Sequence, residues 1–353
     1  MPQFKVVSLD HGYPTTEIEE RIVTQAGGAY LNADRFPIEE AFRACEDADA
    51  ILLRWRPIGA DLLRRFHQCK IIVRYGVGTD NVDVVAATEA KIIVGHVPNY
   101  CFEEVSDHAI ALLLGCIRQI VPLHRKLSEG GWDMNPSHKM WRTPGRTLGL
   151  IGFGHIAQAV ARKMAGWNMK IIATDPFVDP ARAESLSVEL TSLENVCRRA
   201  DYISLHVPLL PETRGLISSQ QFSWMKPGII LVNTARGPVL DANALLAAID
   251  HGVVASAGLD VFENEPLPKE SPLRRHPKIT VTDHIAWYSE ESEAELRATA
   301  AEEAVRVALG GLPRSLANPE VLHRLGRFHE WTPNDTARWQ LRRLEQLQKS
   351  APD

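Results

Sequence analysis

Gly152, Gly154 and Ala157 stand in G-x-G-x-x-G/A spacing where the apolar run TLGLI gives way to HIAQAVARKMAG. Each position has a physical task. The first glycine permits a tight turn, the second lets backbone approach a pyrophosphate, and a small third residue lets helix and strand pack closely. A helix starting here would aim its unpaired N–H groups at phosphate oxygens. The next apolar run ends in ATD and places Asp175 18 positions beyond Ala157. A carboxylate there can accept hydrogen bonds from both adenosine ribose hydroxyls. Pro176 and Phe177 follow, with no cation for a 2′-phosphate, so the pattern favours NAD over NADP. The competing reading of Asp175 is a helix N-cap after a strand. A second candidate is the pair Arg54 and Arg56, two apart at the end of the run ILLRW, where alternation along a strand puts both on one face; the competing reading is a solvated pair, or one matched to acids.

The elements that must position these residues follow a βα rhythm. Over the first hundred residues FKVVSL, ILLRW, KIIVRYG and KIIVGHV alternate with amphipathic segments such as TEIEERIVTQAGG, IEEAFRACEDAD and VDVVAATEA. Strands buried on both faces of a parallel sheet read as such continuous Ile/Val/Leu runs. A second series runs through TLGLIG, MKIIATD, DYISLHV, GIILVN, ASAGLD and KITVTD. Between the two series EEVSDHAIALLLGCIRQIVPLHRKL reads as one long crossing helix, and SEESEAELRATAAEEAVRVAL as a second, capped by Ser289 or Ser292.

Two long helices bracketing a complete βα series predict an insertion. The expected fold is α/β, with two doubly wound parallel-sheet domains. A Rossmann domain over 101–287 is inserted into a flavodoxin-like domain made of 1–100 and 288–353. An arm at about 122–146, rich in Gly and Pro and carrying Trp132 and Trp141, is too long for a simple connector; it reads as a homodimer contact, with a plain surface loop as the alternative. The end of the chain reads as a short helix capped at Asn334 or Asp335, with Ala337, Leu341 and Leu344 on one side.

Composition narrows the function classes. The 353 residues are 45% hydrophobic and 24% charged, with net charge −5 and no basic block, so nucleic acid is not an expected partner. The longest apolar stretch, 109–117, is far below the roughly 20 residues that cross a bilayer, so no membrane association is expected. The start MPQFKVVSLD enters a strand pattern directly, without a secretory leader, which predicts a cytoplasmic protein. Cys45, Cys69, Cys101, Cys116 and Cys197 have no metal-ligand spacing and read mainly as reduced core thiols, with a reactive role left open for Cys101. No metal site is expected.

From about Ile71 to Pro319 the chain resembles the D-isomer-specific 2-hydroxyacid dehydrogenases. The resemblance rests on RYGVGTDNVD (74–83), the glycine turn, HVPLLPETRGLI (206–217), MKPGIILVNTARG (225–237), GLDVFENEP (258–266) and TDHIAWYSEES (282–292). The last of these, with VRYGVGTDNVD, looks nearest to the branch containing the C-terminal binding proteins. The resemblance implies an NAD-dependent oxidoreductase interconverting a D-2-hydroxy acid and its 2-oxoacid. A dinucleotide-sensing interaction protein with little turnover is the alternative, since the same branch holds corepressors.

By that resemblance the catalytic group falls on Arg236, Glu265 and His284. The types make chemical sense. A guanidinium holds a carboxylate and polarises a ketone, an imidazolium supplies a proton to the developing alkoxide, and a carboxylate orients the imidazole. The resemblance further implies a substrate carboxylate on the N–H groups of Val77 and Gly78, and Trp287 walling the substrate's carbon chain opposite Arg54 and Arg56. Cofactor contacts are implied at Gly152, Gly154, His155, Ile156, Asp175, Val207, Pro208, Thr213, Thr234, Ala235, Arg236 and His284, with Asp260 facing the nicotinamide carboxamide. His155 stands where the family commonly has Arg. Asp283 stands where it commonly has Pro, and adjacent strand residues would point Asp283 away from His284.

Overall fold

A computed structural model describes residues 2–332. The predicted tail helix with Asn334, Asp335, Ala337, Leu341 and Leu344 lies outside the described residues. The chain forms two compact units, one comprising the chain up to Tyr100 together with that from Ser289, the other Cys101–Tyr288.

The first unit holds β1 (Lys5–Ser8), β2 (Ala29–Asn32), β3 (Ala50–Leu53), β4 (Ile71–Arg74) and β5 (Ile93–His96), all parallel in the order β2-β1-β3-β4-β5. This is the flavodoxin-like order, with its switch point between β1 and β3. Ile51, Leu53, Ile72 and Val94 are fully buried within the core on one side of this sheet. Helices cover the sheet, which is why these strands carry no polar face. β2, with its AYLN sequence half-buried throughout, gave no such apolar run and was not among the predicted strands. The helix Glu290–Ala308 begins at Ser289, whose side chain accepts the Ser292 N–H while Ser292 answers the Ser289 N–H. Its Arg297 makes a buried two-oxygen ion pair with Glu19 at 2.9 Å. That pair fastens the helix to Glu17–Gln25 across almost the whole sequence.

The second unit holds β6 (Thr147–Ile151), β7 (Lys170–Thr174), β8 (Glu189–Leu190), β9 (Tyr202–Leu205), β10 (Ile229–Asn233), β11 (Val254–Leu259) and β12 (Ile279–Val281). Its order, β12-β11-β10-β9-β6-β7-β8, is parallel throughout and is the Rossmann arrangement with one strand added, its switch point lying between β6 and β9.

One expectation fails here. The crossing helix is two helices, Phe102–Ile117 and Ile120–Ser128, bent by 60°. Gln119 at the break is left-handed (φ 53), and its buried side chain donates to the His138 carbonyl and accepts from the Ser137 N–H and hydroxyl, each at 2.8 Å. Pro122 was the overlooked signal. A continuous helix would set its ring against the Arg118 carbonyl, whereas the first turn of a new helix tolerates it. Among the described residues no single helix is long and apolar enough to cross a membrane. All five cysteines lie outside any disulfide and are buried, Cys101 included, at 2% exposure.

Candidate active site

At the switch point of the second sheet the chain leaves β6 through Gly152, which has φ +86. A Cβ there would stand 2.6 Å from the His206 carbonyl oxygen, so only glycine lets β6 and the end of β9 come this close. Gly154 caps the helix His155–Met164, and a Cβ at Gly154 would meet nothing within 4 Å. That space opens on the first-turn N–H groups, which no helical carbonyl can reach. Ala157 is fully buried, and the His155 ring stacks on Phe102, centroids 4.8 Å apart.

Asp175 is tied into the same turn. One carboxylate oxygen accepts the Phe153 N–H at 2.8 Å, and the other accepts Phe177 and Val178 N–H at 2.8 and 3.1 Å. It is not a helix cap, because Asp179 caps the helix Pro180–Glu184. Beyond β9, Thr213 braces the loop carrying Val207 and Pro208 by donating to the Pro208 carbonyl at 2.6 Å and accepting the Leu210 N–H at 2.8 Å. Two buried polar atoms at these strand ends, His206 Nε2 and Thr234 Oγ1, have no hydrogen-bond partner. An open cradle, a helix N-terminus, a carboxylate at one strand end and orphaned polar atoms at others fit a dinucleotide.

Arg236, Glu265 and His284 follow β10, β11 and β12 in the same unit. Asn233 shapes the first turn, accepting the Ala235 N–H and donating to the Arg236 carbonyl, both at 3.0 Å. A Cβ on Gly237 would overlap the Phe262 backbone at 1.9 Å, so glycine lets the chain after Arg236 press against the loop that carries Glu265. Arg236 itself is half-buried, and its guanidinium donates to the Ala235 carbonyl at 2.8 Å.

Glu265 accepts the Phe262 N–H at 2.8 Å on one oxygen and meets His284 Nδ1 at 2.6 Å with the other. Burial pushes the Glu265 carboxyl up, but the His284 hydrogen bond and charge, the Phe262 N–H and the charge of Arg236 together outweigh burial and hold it below its ordinary range. His284 Nε2 has no hydrogen-bond partner among the described residues. The pair thus presents an imidazole oriented through one nitrogen and open at the other.

His284 does not lie on a strand, since β12 stops at Val281. It is left-handed, φ 58. Strand alternation therefore does not govern Asp283, and no ion pair joins Asp283 to His284. Asp260 holds the His284 loop instead. It is fully buried, and its oxygens accept the Thr282 hydroxyl at 2.6 Å, the Ile285 N–H at 3.0 Å and the Ala286 N–H at 3.1 Å, while its carbonyl accepts the His284 N–H at 2.8 Å. Thr282 has spent its proton on Asp260, so His108 Nε2, 2.9 Å away, donates to Thr282. His108 and Thr282 were missed by sequence reasoning because their alignment arises only when the helix Phe102–Ile117 packs over β10 and β11, next to the loop after β12.

The remaining candidates divide between the units. Trp287, with Tyr288 edge-on at 5.5 Å, belongs to the second. Arg54, Arg56, Val77 and Gly78 belong to the first. β3 ends at Leu53, so alternation does not place the two arginines. The Asp10 carboxylate does, accepting the N–H groups of Arg54, Trp55 and Arg56 at 2.8, 2.8 and 2.9 Å. The Arg54 guanidinium lies over the Tyr13 and Trp55 rings and donates to the His11 carbonyl at 2.7 Å. The Arg56 side chain is half-buried and makes no hydrogen bond among the described residues. Val77 and Gly78 form the turn after β4.

Residues 110–286 match the family described as D-isomer specific 2-hydroxyacid dehydrogenase, NAD binding domain. The chain is 42% identical over 275 residues to D-3-phosphoglycerate dehydrogenase of Mycobacterium bovis, covering 77% of this chain and 51% of that protein. To glyoxylate reductase of Korarchaeum cryptofilum it is 37% identical over 281 residues, covering 78% of this chain and 85% of that protein. The crystal structure of a glyoxylate reductase from Paecilomyes thermophila superposes with a TM-score of 0.81 at 27% identity, covering 90% and 99% of the two chains. The chain belongs to the D-isomer-specific 2-hydroxyacid dehydrogenase family, and its cofactor class is a nicotinamide dinucleotide. It spans about half the length of the phosphoglycerate dehydrogenases it matches. These matches do not establish the C-terminal binding protein branch.

Proposed function

We propose that the protein is an NAD-dependent oxidoreductase that interconverts a D-2-hydroxy acid and its 2-oxoacid. The observation that carries this reading is the His284–Glu265 pair at 2.6 Å, set with Arg236 in the unit that also bears the Gly152–Gly154 turn. The bound dinucleotide supplies or accepts the hydride. First-turn N–H groups at His155 and Ile156 face its pyrophosphate, Asp175 its adenosine ribose, Val207 and Pro208 its adenine, and Thr234 and Ala235 line the strand end. Arg236 holds the 2-oxoacid carboxylate and polarises the ketone. His284 gives its Nε2 proton to the ketone oxygen as that oxygen becomes an alcohol, and recovers it in the oxidative direction. Glu265 fixes the ring through Nδ1 and balances its charge.

The Asp175 carboxylate at the ribose repels a 2′-phosphate, which supports NAD over NADP. In the first unit, the Val77 and Gly78 N–H groups are suited to a substrate carboxylate and Arg56 to a second anionic group on larger substrates; in the second unit, Trp287 offers its ring to a carbon chain. The arm at 122–146, with Trp132 and Met134 exposed at 88% and 96%, supports a homodimer.

The test is NADH oxidation with glyoxylate, hydroxypyruvate, pyruvate, a phosphorylated 2-oxoacid and an aromatic one. Arg236→Ala and His284→Ala should each cut turnover by about 10²-fold or more while NADH binding stays near wild type. Retained turnover in His284→Ala would remove it as proton donor. Tight NADH binding without turnover on any substrate would favour a dinucleotide-sensing protein.

A further inference from the structure

β5 ends at His96, an imidazole only 4% exposed. Its Nδ1 lies 2.9 Å from the Val77 carbonyl oxygen. A carbonyl can only accept, so Nδ1 carries the proton. Nε2 is then bare, buried and without a hydrogen-bond partner. Burial and, less strongly, the charge of Arg74 bring the ring from 6.5 down to about 4 against the opposing pull of the Val77 bond. The ring therefore stays neutral, with this one proton, through the neutral range.

The neighbouring carbonyl, that of Gly76, accepts the Val97 N–H at 3.0 Å. Two successive carbonyls of the turn after β4 are thus fastened to the end of β5. Gly76 adopts φ +135 to allow it. In a trans peptide the C=O and the N–H point in opposite directions. Drawing the Gly76 and Val77 carbonyls towards β5 therefore turns the N–H groups of Val77 and Gly78 away from it. Neither N–H has an acceptor among the described residues. Two adjacent N–H groups turned the same way and left open make a concavity for an anionic oxygen.

We infer that His96, as its Nδ1–H tautomer, is a positioning residue that holds the Val77–Gly78 peptide with its N–H outward, preforming the cradle for the substrate carboxylate. The ligand in this statement rests on the dehydrogenase reading above. The tautomer and the fastening rest on the turn alone.

Two substitutions separate placement from chemistry. His96→Asn puts an amide N–H where Nδ1 stood, whereas His96→Gln carries the same amide one methylene farther out. Steady-state reduction of whichever 2-oxoacid wild type turns over is measured for all three proteins, with thermal melts as the check on folding. The Asn variant should keep KM within about threefold of wild type. The Gln variant should raise KM roughly ten- to hundredfold, the loss expected for a hydrogen bond to a charged group, with kcat and NADH affinity little changed.

Equal KM values in the two variants, or a shared fall in kcat without a change in KM, would overturn the inference and leave the dehydrogenase reading standing. If the Gln variant does not fold, ¹⁵N NMR of the wild-type ring decides. A protonated Nδ1 with bare Nε2 supports the inference, and the opposite tautomer overturns it. Failure of wild type to reduce any 2-oxoacid would overturn the dehydrogenase reading, and the ligand assignment with it.

Discussion

Asp260 gives the sharpest test of how the proton-donating loop is held. Asp260→Asn replaces one acceptor oxygen with an NH₂ group. If that group takes the place of Oδ1, it faces the Ile285 N–H, and if that of Oδ2, it faces the Ala286 N–H. Either way at least one buried donor loses its acceptor, at about 1–3 kcal/mol. The left-handed backbone of His284 carries a penalty of about 1–2 kcal/mol that these bonds must restrain. The two terms are of the same order, so the substitution is large enough to loosen the loop. The equilibrium between the loop with His284 held on Glu265 and the released loop should shift roughly 5- to 150-fold towards release, and kcat should fall as the held fraction falls.

Binding of NADH, followed by its fluorescence, should change little. Thr282→Val, which removes only the hydroxyl between His108 and Asp260, should lower kcat in the same direction by less. The resemblance implied that Asp260 faces the nicotinamide carboxamide. A contact of that kind would make Asp260→Asn weaken NADH while largely sparing kcat. That outcome would refute the anchoring argument.

Two further outcomes follow from the site. Asp175→Ala should weaken NADH far more than NADPH. It should also cost about 1–3 kcal/mol of stability, because the Phe153, Phe177 and Val178 N–H groups lose their acceptor, and a wild-type preference for NADPH in paired titrations would overturn this assignment. For Glu265, whose folded carboxyl is held below its ordinary 4.5, the unfolded chain binds the proton more readily. Its contribution is therefore present above pH 4.5 and lost as pH falls through the lower folded value. Urea unfolding of Glu265→Gln between pH 5 and 3 should show a shallower loss of stability than wild type, and equal slopes would show that the pair contributes nothing to folding.

Much of the architecture was legible because burial on both faces writes itself into composition. Runs such as KIIVRYG and GIILVN, short, β-branched and bounded by turn residues, read as strands of covered parallel sheets, and the two series, separated by a long helical stretch, announced two βα units. The glycine turn was legible because Gly152 and Gly154 answer constraints local to one turn, a positive φ and an open approach. Arg236, Glu265 and His284 were recognisable only through resemblance, since their spacing has no period of its own. β2 escaped notice because its half-buried residues lack the apolar run.

Tertiary structure alone decided what depends on partners far along the chain. The helix break at Gln119 is fixed by Ser137 and His138, although Pro122 signalled it locally. The arginines after β3 are set by Asp10, 44 to 46 residues away, rather than by strand alternation. Asp260 became an anchor because three donors of the following loop converge on its buried carboxylate. His96 gained its role because β4 and β5 end side by side, bringing Val77 within 2.9 Å of its ring. Sequence sets which groups can donate, accept or stay dry. Only the folded chain sets which of them meet, because hydrogen bonds act over about 3 Å between residues that may stand anywhere in the sequence.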